Sequence, residues 1–191
     1  MQQFNPRDYG PAVAKVLEGV KTNELGPGGE DANSRPVLAA LTPESIVAPH
    51  KPSDREMAAA CLAGLWLRHD FLDESHRISQ DIASTTGSYW HGIMHRREGD
   101  FDNAKYWFRR VGEHAVFAPL CVSARKLAEE AGGGAEADFL RTAKRWDPMR
   151  YVDLCRTAVV TPSPLRTLCK KIQEVEWQLL FDYCYRQAIG K

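Results

Sequence analysis

The chain carries no excess of either charge: its 25 Lys and Arg balance its 25 Asp and Glu over 191 residues. With no large field to draw in phosphate backbones, nucleic acid is excluded as the expected partner, and adhesion to anionic membranes is disfavoured on the same ground. No apolar run approaches the ~18 residues of a membrane span. The opening MQQFNPRDYG lacks the basic-then-apolar layout of an export signal, so the expected location is the cytoplasm. Cysteine is sparse and unpatterned: Cys61, Cys121, Cys155, Cys169 and Cys184 are odd in number and form no CxxC. Reduced, buried thiols acting as small hydrophobes are therefore expected. Segments that alternate apolar and polar residues between turns are also missing, which excludes a sheet.

Signatures of covalent or phosphate chemistry are absent as well. Ser53, Ser75, Ser79 and Ser88 sit in no nucleophile elbow, and Cys61 and Cys121 have no nucleophile context. The LGPGG segment, Leu25 to Gly29, has no Walker lysine and follows no strand, so it reads as a flexible linker within an irregular Thr22–Arg35 stretch.

Helix signals recur instead. Pro11 can open a helix with Val13, Val16, Leu17 and Val20 on one face. A short helix is expected from Pro36 to Leu41, and Thr42-Pro43-Glu44 starts another single turn. Ser53 with Glu56 has the spacing of a capping box for a helix over 54–68, whose MAAACLAGLWL core is apolar on nearly every side and should be the most buried of all. Further helices are expected over 71–83, from Ser88 as cap to the Gly99-Asp100 turn, and over 101–111, 119–131, 135–146, 147–159 and 163–189. In the last, Leu165, Leu168, Ile172, Val175 and Leu179 form a broad stripe. The fold class is all-α, a compact array of about seven to nine helices. Residues 1–53 form an N-terminal helix plus a Pro/Gly-rich segment packed on a helical core over 54–191, together one domain.

The densest chemistry lies in SYWHGIMHRREGDFDNAKYWFRRVG, Ser88 to Gly112. Here Gly92, Gly99, Phe101, Ala104, Phe108 and Val111 resemble one tetratricopeptide-type repeat, with a weaker echo over Gly64 to Ile82; the match runs over residues ~64–118. The resemblance implies antiparallel helical hairpins in which a small residue admits the next helix and Ala and an aromatic fill the contact. The offset between the two units is 28 to 29 residues, short of the ~34 of a regular array, His95 replaces the usual aromatic, and no proline closes the unit. The longer string also resembles an uncharacterised bacterial protein family. Neither resemblance supplies catalytic residues.

His91 and His95 are four residues apart and project from one helix face, the spacing with which two imidazoles bind one metal. Asp73, Glu74 and His76 on the preceding helix are the candidates for a third ligand, giving a metal set of His76, His91, His95 and Glu74. The bland alternative has these histidines hydrogen-bonded to Asp73 or Glu74 as a structural network, and acid–base chemistry without metal is a third possibility. Arg96, Arg97, Arg109 and Arg110 can clamp an anion or simply pair with Glu98, Asp100, Asp102 and Glu113. Trp66, Trp90, Trp107, Tyr89 and Tyr106 can wall a small-molecule pocket or fill a core. The ligand-binding set on this reading is Trp90, His91, His95, Arg96, Arg97 and Trp107.

Two functions follow. The favoured one is a binding module with a polar–aromatic cleft around residues 88–112, taking a protein, a peptide, a small molecule or a second copy of itself. The alternative is a metal-dependent or acid–base enzyme using His76, His91 and His95, with a divalent metal as its cofactor.

Overall fold

The structure is a computed structural model that describes residues 4–131, 134–160 and 162–191; the first three residues of the expected N-terminal segment lie outside them. It is all-helical, and no strand occurs among the described residues. Among the described residues eleven α-helices follow in order: α1 (Pro11–Leu17), α2 (Arg35–Ala39), α3 (Pro43–Val47), α4 (Arg55–Arg68), α5 (Leu72–Gln80), α6 (Thr85–Glu98), α7 (Phe101–Val111), α8 (Phe117–Ala131), α9 (Asp138–Thr142), α10 (Pro148–Ala158) and α11 (Pro164–Ala188). The count exceeds the expected seven to nine because α2, α3 and α9 are single turns of five residues.

Local chemistry sets most helix starts. Thr42, Asp100, Asp147 and Ser163 each accept a backbone N–H of the first turn, with proline at the first or second position after Thr42, Asp147 and Ser163. Two starts differ from expectation. Asp54, rather than Ser53, caps α4, its carboxylate accepting from Met57 N at 3.0 Å. Ser84, rather than Ser88, caps α6, which therefore begins a turn early and takes Gly87 and Ser88 inside. Glycine is required there, because a Cβ on Gly87 would lie 2.2 Å from the Ile82 carbonyl oxygen. The expected helix over 135–146 is also shorter: a 3-10 turn, Ala135–Ala137, precedes α9, and the chain turns extended at Ala143.

The core is built on α4, α6 and α11. α4 buries nearly its whole circumference, with Leu65 fully enclosed; each such leucine contributes about 1.5–3 kcal/mol relative to exposure. α6 is buried to the same extent, from Thr86 to Arg97, so α4 is not alone at the centre. α11 lies along α4 and reaches α6 through side chains. The indole N–H of Trp177 donates to the Gly64 carbonyl at 2.8 Å, and that of Trp90 donates to Cys184 Sγ at 3.4 Å. Gly64 makes this approach possible, since a Cβ there would meet Trp90 ring atoms at 2.8 Å. Consecutive helices α4, α5, α6 and α7 pack side by side, and α10 lies against α7. At the α6–α7 seam Ala104 is fully buried and Gly92 faces the Phe108 ring. All five cysteines are free and buried.

The segment between α1 and α2 is anchored, contrary to its reading as a flexible linker. Arg97 Nε donates to the Gly26 carbonyl at 2.9 Å and its Nη2 to that of Pro27 at 3.2 Å, while Leu25 is buried and Asn23 donates to the Arg68 carbonyl at 2.9 Å. Backbone carbonyls of a loop that packs on a core need such donors.

Candidate metal centre

Three helices converge on one depression. α5 supplies His76, α6 supplies His91 and His95, and α7 supplies the Trp107 wall; Gln80, Asp81, Asn103 and Tyr106 complete an open pocket of about 630 Å³. The geometry follows from helix periodicity: His91 and His95 are one turn apart on α6, and the tight turns on either side bring α5 and α7 against that face. Ring centroids of His76 and His91 are 4.5 Å apart, those of His91 and His95 4.8 Å, and those of His76 and His95 5.3 Å. One ring nitrogen from each of the three lies within 4.8 Å of the others.

The ring of His91 is the most enclosed, with 2% exposure. Trp107 stacks on it at 3.8 Å between centroids and 14° between planes. Its Nδ1 is buried with no hydrogen-bond partner. Burial above all, and then the neighbouring His95 and His76, push its pKa down to about 3, so the ring is neutral in ordinary buffers and keeps a lone pair. His95 has partners: its Nδ1 lies 2.9 Å from Glu98 Oε2, and the Asn103 amide nitrogen lies 3.1 Å from its Nε2 and 3.4 Å from its Nδ1.

The other sequence-derived candidates lie elsewhere. Glu74 turns away to pair with Arg35, with Arg77 at 3.8 Å, and is not a member of the cluster. Asp73 is exposed. The expected hydrogen bonds from these acids to His91 and His95 are therefore not made. Trp90 points into the core against Cys184 and Gly64. Arg96 and Arg97 are both 1% exposed and pair with Glu176 and Asp70 respectively, so neither reaches the pocket and neither takes the local acids expected of it. Arg110 does approach the site, its guanidinium carbon 5.2 Å from the Trp107 ring centroid.

Two participants escaped the sequence reading. Asn103 lies three residues beyond the Asp100 cap, and Glu98 was assigned to arginine pairing. The one available signal was the i, i+3 spacing of His95 and Glu98 on a single helix. No family model, curated protein or solved structure matches the chain. Among the described residues no helix is long and apolar enough to cross a membrane.

Proposed function

We propose that the chain binds one divalent transition metal through His76, His91 and His95, at a site of the open, catalytic type. The observation that carries this is the orphaned Nδ1 of His91, buried within a cluster of three imidazoles. An unpaired buried polar atom costs about 1–3 kcal/mol, and a ligand arriving at this cluster would offset that cost. Tetrahedral zinc at ~2.0–2.1 Å from each nitrogen would need them about 3.4 Å apart. Small side-chain rotations close that gap from 4.8 Å. Neutral imidazoles suit zinc, copper, iron and nickel better than calcium or magnesium.

Three protein ligands facing an open pocket leave one position for water or substrate, whereas structural zinc sites are closed by four. The large helical core is independent support for this reading, because the fold has no need of a metal staple. A metal so held would polarise a bound water or carbonyl, and Asp81, Gln80 and Tyr106 at the rim are the polar groups available to a substrate.

Metal-free protein titrated calorimetrically with Zn²⁺ is expected to bind one equivalent, and His91→Ala or His95→Ala to abolish binding without unfolding the chain. Absence of stoichiometric binding by the wild type would overturn the proposal. The binding-module reading has less support. In the tetratricopeptide-like arrangement α4 and α6 are the first helices of each hairpin, and here α11 packs along α4 while its Glu176 and Cys184 hold Tyr89 and Trp90 of α6.

A further inference from the structure

The surroundings of His95 say how the site would be tuned, an inference that rests on the metal reading above. Glu98 follows His95 by three residues on α6 and its carboxylate faces Nδ1 at 2.9 Å. A carboxylate only accepts, so Nδ1 carries the hydrogen and Nε2 is the nitrogen left available to a metal. The Asn103 amide nitrogen lies 3.1 Å from Nε2 and 3.4 Å from Nδ1, nearly equidistant from the two, so it sits against the face of the ring and not on the in-plane direction a metal would take.

We infer that Glu98 is a positioning residue that raises metal affinity. Glu98 orients the ring and makes it more basic, as carboxylates behind ligating histidines do. The role is not needed for folding, because the Glu98 side chain is half exposed.

The test is Zn²⁺ affinity of the full chain, measured by competition with a chromophoric chelator, with the melting temperature of each metal-free variant recorded beside it. Glu98→Ala is expected to weaken binding by about 10- to 100-fold, with Glu98→Gln between it and the wild type, since the amide accepts without charge. Melting temperatures should stay near the wild-type value, because a purely structural role would move them and leave affinities alone. Unchanged affinity in Glu98→Ala, with a wild type that binds, would overturn this inference and spare the metal site. A wild type that takes up no zinc would overturn the metal reading and this inference with it.

Discussion

Glu176 is the residue whose removal should damage the protein most. Its carboxylate is completely buried on α11, accepts from both terminal nitrogens of Arg96, and accepts from the Tyr89 hydroxyl at 3.2 Å. The Arg96 guanidinium has no route to water: it is 1% exposed and lies 4.7 Å from the Tyr151 ring centroid. Glu176→Leu would leave that cation without its partner, which costs about 3–5 kcal/mol at buried pairs. Against a total stability of roughly 5–15 kcal/mol, the loss would be a large fraction of the whole. For a domain of this size it corresponds to a fall in melting temperature of roughly 6–20 °C. The double variant Arg96→Met with Glu176→Leu removes both charges while keeping much of their volume, and should recover most of the loss, because apolar replacements of buried pairs are often neutral or better. Urea unfolding followed by circular dichroism, with a common m-value, measures each variant. A loss under ~1 kcal/mol in Glu176→Leu, or a double variant whose cost equals the sum of the two singles, would refute the coupling.

Three further outcomes are expected. Leu65→Ala, at a fully buried position of α4, should cost on the order of 2–5 kcal/mol in the same urea assay; a loss below ~1 kcal/mol would mean that α4 is not central. Ala104→Leu should destabilise by about 1–3 kcal/mol through overpacking of the α6–α7 seam, and an unchanged melting temperature would refute the close contact there. Acid should weaken the protein through His114, whose pKa burial pushes down to about 4 from 6.5: between those values the unfolded chain binds the extra proton, so this contribution is complete above about pH 6.5 and lost by about pH 4. The slope, on the order of 3 kcal/mol in all, should shrink in His114→Gln, and identical stability–pH curves for the two proteins would sink the assignment.

Helix identity was legible wherever it depends on neighbours in sequence. Asp147-Pro148 and Ser163-Pro164 mark starts that the structure reproduces, because a cap acts over three residues and a proline on its own φ. Where two cap residues stood close together, backbone contacts outside the capping pattern made the choice. Ser53 lost to Asp54 beside the C-terminal end of α11, whose Ala188 carbonyl takes the Ser53 backbone N–H at 2.7 Å. Ser88 lost to Ser84 because Gly87 can press against the Ile82 carbonyl. The early end of the helix expected over 135–146 is tertiary in origin too: Arg125 and Cys121 of α8 take the Ala143 carbonyl.

The site divides along the same line. Four residues at about 100° each return a helix nearly to its starting direction, so His91 and His95 were bound to share a face. His76 met them through a short connection, and Trp107 through the Gly99-Asp100 turn. The same arithmetic shows why Trp90, Arg96 and Arg97 do not belong to the cluster, though they adjoin it in sequence. Each step of one residue rotates the side chain by about 100°, which carries Trp90 and Arg96 to α11 and Arg97 to the loop at Gly26. Their partners Cys184, Glu176 and Asp70 are 94, 80 and 27 residues away. No local pattern can name such partners, so the acids nearest in sequence were the only ones available to pair with the arginines. Adjacency on paper groups residues by number, whereas a buried helix distributes them among its neighbours. α6 is enclosed on all sides, and its histidines are therefore separated from its arginines by the helix itself, with the histidine cluster on one side and the ion pairs that lock α11 and the Gly26 loop on the others.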